Sequence, residues 1–466
     1  MFDTVGMQSY IFSSNKMSEN VGASTLVRKL LRNVLPEIVK ERNGLSDWES
    51  RLGSPLDKSA PCEIVYSGGG NAYVAFRDVG EFNIVSEKLL RKAYALTHSV
   101  GIAVAAVETD FGDSYKADFA RLNERLQIAK GSINHPVPAG NQPITRASAR
   151  TGLPVTDSAN GEWVDKAQSL KSKADESRMD FETLGSMIGI VCVDGNNIGD
   201  SIAKSVADAG TYDKAVPRMR ELSKKISEAF GNARDIVNSA CKSHIDLVTD
   251  GDDTAAVIKG ELAISYAAEL LRQIEKQPSP FESGAKLTAC AGVSIVHSHF
   301  PFSAAYTLAE DACGIAKKTS RSDPGSYIDF HLHQSGMVLE LSELRKRQYT
   351  IGGAPRYARP WKISGNAENV PDFAWFEERQ HVWARESKSW PRTRLKDLRN
   401  ALSISNEEAL LVLGQCASRG YKLLDFDMGK SGNLSESDKG KLSWYFDVLE
   451  LADVYGRIVL KDKEVR

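Results

Sequence analysis

Residues 245–258, IDLVTDGDDTAAVI, contain two short apolar runs on either side of an acidic turn. β-Branched and other apolar side chains dominate residues 245–249 and 254–258, a composition that is typical of short strands. Between them, residues 250–253 (DGDD) are of the types that tight turns prefer. The sequence therefore predicts a β-hairpin with carboxylates at its tip.

Regular elements are predicted on both sides of this hairpin. A buried strand at residues 188–193 and a helix with apolar positions from 222 to 237 precede it. A helix at 261–276, a strand at 287–296 and a helix at 303–318 follow it. The order β-α-β-β-α-β is the split ferredoxin-like pattern, which polymerase palms and nucleotide cyclases use. Many binding modules share this pattern, so the fold alone leaves the function open.

The first 110 residues repeat the same plan. Predicted strands at residues 62–66 and 72–76 flank the turn SGGGN at residues 67–71. When residues 64–71 are aligned with residues 246–253, strand, turn and strand coincide. Glycines stand in the first copy where the second copy has carboxylates. The pattern indicates an internal duplication with one active and one inactive copy.

Four domains are predicted along the 466 residues. Residues 1–110 and 186–335 are two ferredoxin-like palm domains, the first with a degenerate site and the second with the DGDD turn. Residues 111–185 form a connector, which is irregular where Pro, Gly, Thr and Ser accumulate. Residues 336–466 are predicted to be a helical C-terminal domain. The predicted fold class is therefore α+β.

Composition restricts the functions that the chain can have. With 59 basic and 61 acidic residues, the net charge is −2, so a general basic field for nucleic acid is absent. No apolar run reaches the roughly 18 residues of a membrane helix, and the N-terminal residues lack the pattern of a signal peptide. We therefore expect a cytoplasmic protein with no membrane contact. The six cysteines form no C-x-x-C pair, which favours buried free thiols.

The carboxylates are arranged as phosphoryl transfer requires. Asp194 follows the predicted strand at 188–193, and Asp252 and Asp253 lie in the turn of the hairpin that neighbours this strand in the sheet. Divalent ions held by carboxylates neutralise the charge on phosphate oxygens. We expect two Mg²⁺ or Mn²⁺ ions at these three residues, with Gly251 allowing the backbone to approach a nucleotide. An isolated DGDD is more commonly a surface turn, so this interpretation depends on the order of the elements.

Two other features each have two interpretations. Lys317 lies near the end of the last predicted palm helix, where it could neutralise triphosphate oxygens or stabilise the helix dipole. Residues 381–399 mix tryptophans with basic residues. Such a stretch suits stacking on single-stranded RNA, but an amphipathic helix with inward tryptophans is favoured here.

Five short motifs also follow one another in a specific order. They are DTVGMQSYIF (3–12) with GAS (22–24), YSGGGN (66–71), DGNNIG (194–199), DGDD (250–253), and AGVSIVH (291–297) with residues 308–318. In this order they resemble the large polymerase-cyclase subunit of type III CRISPR effector complexes. The resemblance covers roughly residues 1–335, and the order makes it more specific than any single motif.

The resemblance implies an activity, a site and partners. The family makes cyclic oligoadenylates from ATP and magnesium, and these products act as antiviral second messengers. It implies Asp194, Asp252 and Asp253 as catalytic metal ligands. The implied nucleotide-binding residues are Gly251, Asn197, Lys317, Gly68, Gly69, Gly70 and Ser24. The implied partners are CRISPR effector subunits and guide or target RNA.

The sequence departs from the family pattern at several points. Asp250 replaces the first glycine of the turn, and Asn196 replaces the second carboxylate of the strand-end motif; either change could lower activity. The family's HD nuclease domain is not expected, because the chain starts at the first palm and contains no His-Asp dipeptide. No zinc is expected, because the connector stretch at residues 143–154 contains no cysteine.

Three hypotheses follow. The first is an ATP-dependent nucleotide cyclase. The second is a scaffold subunit of an RNA-guided effector complex, with a turn that has lost catalysis. The third is a defence cyclase that works without a CRISPR complex. Conversion of ATP with divalent metal separates the first from the second. Co-purification with small RNA and other subunits separates the third from a subunit of a CRISPR complex.

Overall fold

The structure, a computed structural model, describes residues 1–14, 17–133, 146–148, 152–159, 162–166, 184–351, 354–365, 370–385, 391–421 and 436–460. Much of the predicted connector and part of the basic stretch at 381–399 lie outside these ranges. Within them, two large β-sheets with their helices are followed by a helical region, which confirms the predicted α+β class.

The first palm contains a four-stranded antiparallel sheet. Its elements are β1 (Phe2–Val5), α1 (Met7–Ile11), α2 (Met17–Lys29), a π-helical turn (Leu30–Val34), α3 (Leu35–Glu41), a 3-10 turn (Glu49–Arg51), β2 (Cys62–Gly68), β3 (Asn71–Phe76), α4 (Val79–Thr97) and β4 (Gly101–Val104). The strand order is β2-β3-β1-β4. Asp78 begins α4, because its carboxylate accepts a hydrogen bond from the backbone N–H of Glu81 at 3.0 Å.

A helix and a small hairpin follow the first palm. They are α5 (Tyr115–Ser132), β5 (Asp157–Ala159) and β6 (Glu162–Val164). α5 lies in the range expected for the connector, yet it packs against the first palm. Leu126 on α5 is buried together with Ala103 of β4 and the adjacent Ala105. Apolar burial therefore joins α5 to the palm sheet.

The second palm repeats the strand order of the first. Its elements are β7 (Met187–Gly195), α6 (Ile198–Ala207), α7 (Tyr212–Ala240), β8 (His244–Asp250), β9 (Asp253–Lys259), α8 (Ala263–Glu275), β10 (Ala289–His297), α9 (Phe302–Ser322) and β11 (Tyr327–Leu332). The strands run in the order β8-β9-β7-β10, followed by β11 parallel to β10. β8, β9, β7 and β10 therefore correspond to β2, β3, β1 and β4, as the predicted duplication requires.

The sheet of the second palm has a different core on each face. Val191 and Val193 of β7 pack with residues of α7 and α8, whereas Ile190 and Cys192 belong to a core that includes the first palm. α9 lies close on this second face, since a Cβ built on Gly292 would be 2.0 Å from the carbonyl oxygen of Ala309. Side chains that share the face of Ile190 and Cys192 are thus directed between the palms.

The C-terminal region packs on the second palm. Its elements are α10 (Leu341–Gln348), β12 (Thr350–Ile351), β13 (Ala354–Pro355), β14 (Trp361–Lys362), α11 (Phe373–Arg385), α12 (Arg392–Leu402), α13 (Asn406–Ser418) and α14 (Glu436–Glu450). β14 pairs with β11 and completes a six-stranded sheet. Arg359 is buried and forms a 2.7 Å ion pair with Glu450 of α14. Trp361 donates a 2.9 Å hydrogen bond to Asp447 on the same helix.

Two expectations from composition can be compared with the structure. All six cysteines are free and buried, as the sequence predicted. Among the helices that the structure describes, none is both long enough and apolar enough to cross a membrane.

Candidate active site between the palms

The acidic turn closes the hairpin of β8 and β9. Asp250 pairs with Asp253, so Gly251 and Asp252 are the two residues of the turn. Gly251 has a φ of 63°, in the left-handed region that favours glycine. Nothing lies within 4 Å of a Cβ built on Gly251. Glycine is therefore favoured here by the backbone conformation and not by a lack of space.

Asp194 and Asp253 lie opposite each other at the ends of neighbouring strands. Val193 of β7 pairs with Thr254 of the antiparallel strand β9, so the next residues, Asp194 and Asp253, are adjacent. Residues in such positions point to the same face of a sheet. Asp194 shares the face of Cys192, which packs in the core between the palms. Both carboxylates are therefore directed toward the first palm.

Asp252 lies on the other face of the turn. A Cβ built on Gly195 would be 2.9 Å from Oδ2 of Asp252, so glycine at position 195 makes room for this carboxylate. The structure thus separates Asp252 from Asp194 and Asp253, in contrast to the expected convergence of all three. Among the described residues, no three His, Cys, Asp or Glu side chains are grouped to hold a metal ion. Asp252 is separated from the other two carboxylates because successive side chains along a hairpin point to opposite faces.

Asp194 and Asp253 nevertheless fit a magnesium site in which substrate phosphates supply further ligands. Magnesium is usually held by one or two carboxylates together with substrate phosphates and water. The side chain of Asp194 is 40% exposed, and Asp253 is also exposed. These two residues would hold magnesium or manganese, and a phosphate could reach the same ion from the cavity.

Lys317 of α9 lies beside this pair and forms an ion pair with Asp194. Burial lowers the pKa of Lys317. The hydrogen bond to Asp194 and the charges of Asp194 and Asp253 raise it by more, so the pKa lies above the ordinary lysine value. Lys317 is therefore a cation at neutral pH, fixed next to the carboxylates. The adjacent Lys318 is exposed.

A cavity of about 320 Å³ lies between the palms at this point. This volume is in the range of small-ligand sites. Among the described lining residues, the first palm contributes cations but no carboxylate, and these cations are Arg28 and Arg32. The second palm contributes three carboxylates and one lysine, which are Asp194, Asp253, Glu310 and Lys317. Positive and negative charge are therefore largely divided between the two palms.

The glycine turn of the first palm lines the same cavity. Gly69 and Gly70 have φ values of 60° and 76°, as in a type I′ hairpin turn. A Cβ on Gly70 would lie 2.8 Å from Met7 and 2.9 Å from Thr4. At Gly69 the nearest atom to an added Cβ is 3.9 Å away. The turn is thus tightly packed at Gly70 and open at Gly69.

The structure brings together most of the expected nucleotide-binding residues. Lys317, Ser24 and residues 68–70 line the cavity, while Gly251 and Asn197 are not among its lining residues. The hydroxyl of Ser24 donates a 2.6 Å hydrogen bond to a backbone carbonyl of β8. Asn197 has a φ of 53° and precedes α6.

Asn196 has a structural role in this arrangement. The two N–H groups of its side-chain amide are shared among three partners, with Nδ2 at 3.1 Å from Oγ1 of Thr288, 3.1 Å from Oγ of Ser320 and 3.0 Å from the carbonyl oxygen of Gly325. None of these three acceptors belongs to the cavity wall. The amide therefore cross-links the end of β7 to the segments that lead into β10 and β11. A carboxylate could accept from the two hydroxyls, but it could not donate to the carbonyl of Gly325.

Several residues of the cavity were not among the predicted site residues. Gln8 and Glu310 lie within the quoted motifs but were given no role there. Gln8 of α1 donates a hydrogen bond to Glu310 of α9, and so connects the two palms. Burial raises the pKa of Glu310 above the ordinary value. Arg28 and Arg32 also line the cavity. In the sequence, Ser24, Arg28 and Arg32 are spaced four residues apart. Residues with this spacing share a helix face, so the spacing is the signal that places the two arginines beside Ser24.

Two palms of the same topology, joined around a cavity with an acidic turn, define a fold of the nucleotide polymerase and cyclase class. The sequence narrows this class, since residues 187–324 match the family model described as Cas10/Cmr2, second palm domain. Residues 187–324 thus resemble the second palm domain of this family, in agreement with the resemblance found in the motifs of the chain. A comparison with curated proteins finds no match.

Several solved structures share this fold, and the similarity covers nearly the whole chain. One is a Csm1–Csm4 cassette in complex with cA4, with a TM-score of 0.56, 15% identity, and coverage of 97% of this chain and 68% of that chain. The cassette in complex with pppApApA has a TM-score of 0.57 at the same identity and coverage. A Csm1–Csm4 subcomplex of the type III-A CRISPR-Csm interference complex has a TM-score of 0.53 and 16% identity, and covers 97% and 68% of the two chains.

Proposed function

We propose that this chain is a metal-dependent nucleotidyltransferase that makes cyclic oligoadenylate from ATP in antiviral defence. The observation that carries the proposal is the placement of Asp194 and Asp253 on one cavity wall, opposite the glycine turn at residues 68–70. The relatives solved with cA4 and pppApApA support adenine nucleotides as the ligands.

The proposed reaction joins two nucleotides at the cavity. The 3′-hydroxyl oxygen of one nucleotide attacks the α-phosphorus of the other, and a new P–O bond forms. The bond from this phosphorus to the pyrophosphate oxygen breaks, pyrophosphate leaves, and the hydroxyl proton passes to solvent. Repetition lengthens the chain. The ring closes when the 3′-terminal hydroxyl attacks the α-phosphorus of the 5′-terminal triphosphate of the same chain, the bond from this phosphorus to the pyrophosphate oxygen breaks, pyrophosphate leaves and the proton passes to solvent.

The charges of the cavity suit this reaction. Magnesium, when bound, supplies positive charge to the attacking and leaving oxygens. Asp194 and Asp253 would hold it at the end of the strands. Lys317, which stays protonated, would place a further cation beside the triphosphate of the nucleotide under attack. In this arrangement Asp194 and Asp253 would bind the metal and Lys317 would bind phosphate.

The first palm would hold the attacking nucleotide. Its wall of the cavity carries Arg28 and Arg32 and, among the described lining residues, no carboxylate, so it suits an anionic ligand without a metal. Gly69 has no side chain that would block close approach of a ribose or base. Holding both nucleotides in a reactive geometry lowers the entropic part of the barrier.

The proposal is tested by ATP conversion. The purified protein, alone and within its reconstituted effector complex with guide and target RNA, is incubated with ATP and Mg²⁺. Chromatography with mass detection is expected to find pyrophosphate and cyclic oligoadenylate, and chelation of the metal is expected to stop both. Asp253→Asn removes one cavity carboxylate, and it should abolish product formation. Asp213→Asn, at an exposed position at the start of α7, is the matched control and should leave the rate unchanged.

The scaffold hypothesis predicts a different outcome. If the wild-type protein in the complete complex binds RNA and partner subunits but converts no ATP, the chain is a non-catalytic subunit. The position of Asp252 away from the other carboxylates is the observation that favours this alternative. A pull-down from the native host separates a CRISPR subunit from a cyclase that works alone, because only the former should recover a Csm4-like partner and guide RNA.

A further inference from the structure

Both turns that face the cavity are preceded by a β-bulge. In the first palm, the pairing of β2 with β3 shifts between Ile64 and Tyr66. In the second palm, the pairing of β8 with β9 shifts between Asp246 and Val248. When the two hairpins are aligned at their turns, these shifts coincide. A bulge frees one residue from the ladder and bends its strand, so it influences the direction of the turn that follows.

The bulge residue of the second palm is held by the first palm. Ser24 lies on α2 and is only 5% exposed. Its hydroxyl donates a 2.6 Å hydrogen bond to the carbonyl oxygen of Leu247, the bulge residue. A buried backbone carbonyl outside the ladder needs a donor, and Ser24 supplies it.

The bulge residue of the first palm is held by the second palm in the same way. Arg220 lies on α7 and is fully buried. Its Nε donates a 3.0 Å hydrogen bond to the carbonyl oxygen of Val65, the bulge residue of β2. Nη2 donates to the carbonyl of Ile64 at 3.2 Å and to Glu63 at 2.7 Å. Nη1 donates to the carbonyls of Arg51 and Ser54, so every N–H of the guanidinium has an acceptor.

We propose that these contacts form a reciprocal latch, in which one helix of each palm, α2 in the first and α7 in the second, positions the cavity-facing turn of the other palm. Ser24 is the positioning residue for the acidic turn, and Arg220 is the positioning residue for the glycine turn. Each bulge lies only a few residues before its turn, so a loosened bulge shifts the turn. The latch itself rests on geometry alone, and its consequence for catalysis rests on the proposed function.

The latch assigns Ser24 a role different from direct nucleotide binding. If Ser24 positions the acidic turn, Ser24→Ala should raise the Mg²⁺ concentration needed for half-maximal activity and leave the KM for ATP nearly unchanged. If its hydroxyl bound a nucleotide, the KM would rise and the metal dependence would stay the same. Arg220→Lys should raise the KM for ATP and leave the Mg²⁺ dependence nearly unchanged, because the glycine turn holds a nucleotide and no metal.

A measurement without turnover tests the latch directly. Hydrogen–deuterium exchange of the full chain reports the opening of each hairpin. Ser24→Ala should increase exchange in residues 244–254 about fivefold, as expected for the loss of one hydrogen bond, and leave residues 62–71 unchanged. Arg220→Lys should increase exchange in residues 62–71 and spare residues 244–254.

The matched control is Thr25→Ala, one residue further along α2. The hydroxyl of Thr25 donates to the carbonyl of Val21 in its own helix, and among the hydrogen bonds of the described residues it has none to the second palm. This variant should change neither hairpin. The latch is refuted if Ser24→Ala and Thr25→Ala give the same exchange pattern, or if each variant loosens only its own palm. A crossed exchange pattern in a protein that converts no ATP would retain the latch and refute the proposed function.

Discussion

The glycine turn of the first palm and the acidic turn of the second are built on the same backbone and differ in side chains. Both close an antiparallel hairpin after a bulge, and both contain glycine in the left-handed region. One presents Gly68, Gly69 and Gly70 to the cavity, and the other presents Asp253. The comparison teaches that two copies of one hairpin form the cavity and that their turns have diverged in side chains, with a carboxylate at one turn and open space at the other.

The largest effect is expected from removing a carboxylate of the cavity. Asp194→Asn should reduce cyclic oligoadenylate formation about a thousandfold or more, because metal stabilisation of the transition state is worth several kcal/mol. The metal-free melting temperature should change little, because the loss of the ion pair with Lys317 offsets the relief of repulsion between Asp194 and Asp253. Product assays and thermal melting beside Asp213→Asn measure both effects. Activity within tenfold of wild type would exclude Asp194 as a metal ligand.

The next effect concerns the glycine turn. Gly69→Leu places a side chain in the open part of the cavity, so calorimetry with a non-hydrolysable ATP analogue and Mg²⁺ should give one bound nucleotide per chain instead of two. Turnover should fall about a hundredfold through misplacement of the attacking nucleotide. The control is Gly284→Leu, which imposes the same strain at a φ of 68° on an exposed glycine away from the cavity. Equal stoichiometry in both variants would contradict a shared two-nucleotide site.

A smaller effect distinguishes the two faces of the acidic turn. Asp252→Asn should reduce turnover about tenfold, far less than Asp253→Asn, because Asp252 lies against Gly195 and not on the cavity wall. Rates for both variants, each measured across a Mg²⁺ titration, make the comparison. If the two substitutions are equally severe, the turn rearranges when metal binds and all three carboxylates converge, as the sequence alone suggested.

The smallest effect is expected at Asp250. Asp250→Gly restores the glycine of the family pattern, and turnover should stay within about threefold of wild type or rise. The assay is initial rate against ATP concentration at saturating Mg²⁺. A large loss of turnover in Asp250→Gly, together with an active Asp253→Asn variant, would show that Asp250 and not Asp253 binds the metal.

Periodicity and the order of elements were sufficient to predict both palms. The short apolar runs of β8 and β9 reflect burial in a sheet that has a core on each face. The apolar spacing of α7 and α8 reflects burial of one helix face, and both patterns are local in sequence. The same reasoning placed Asp194 and the acidic turn on neighbouring strands, since the pattern itself implies that topology. It did not assign α5 to the first palm, because that assignment depends on which apolar surface the helix meets.

The division of the carboxylates was not predictable in the same way. Asp252 and Asp253 are consecutive, and the sequence treats them as one motif. Only the register of β9 against β7 shows that Asp253 shares a face with Asp194 and that Asp252 does not. Arg28, Gln8 and Glu310 were also missed, because their joint position in the cavity requires contacts over long sequence separations.

The sequence by itself determined the duplicated plan, the position of each turn and the chemistry of each turn's side chains. These properties follow from local rules, namely side-chain period, turn preference and residue charge. The tertiary structure alone decided which residues face one another across the palms. The contacts of Ser24 with Leu247 and of Arg220 with Val65 depend on how the surfaces of the two palms pack against each other. Docking is set by the shape and burial of both surfaces together, and no segment of the chain encodes it alone.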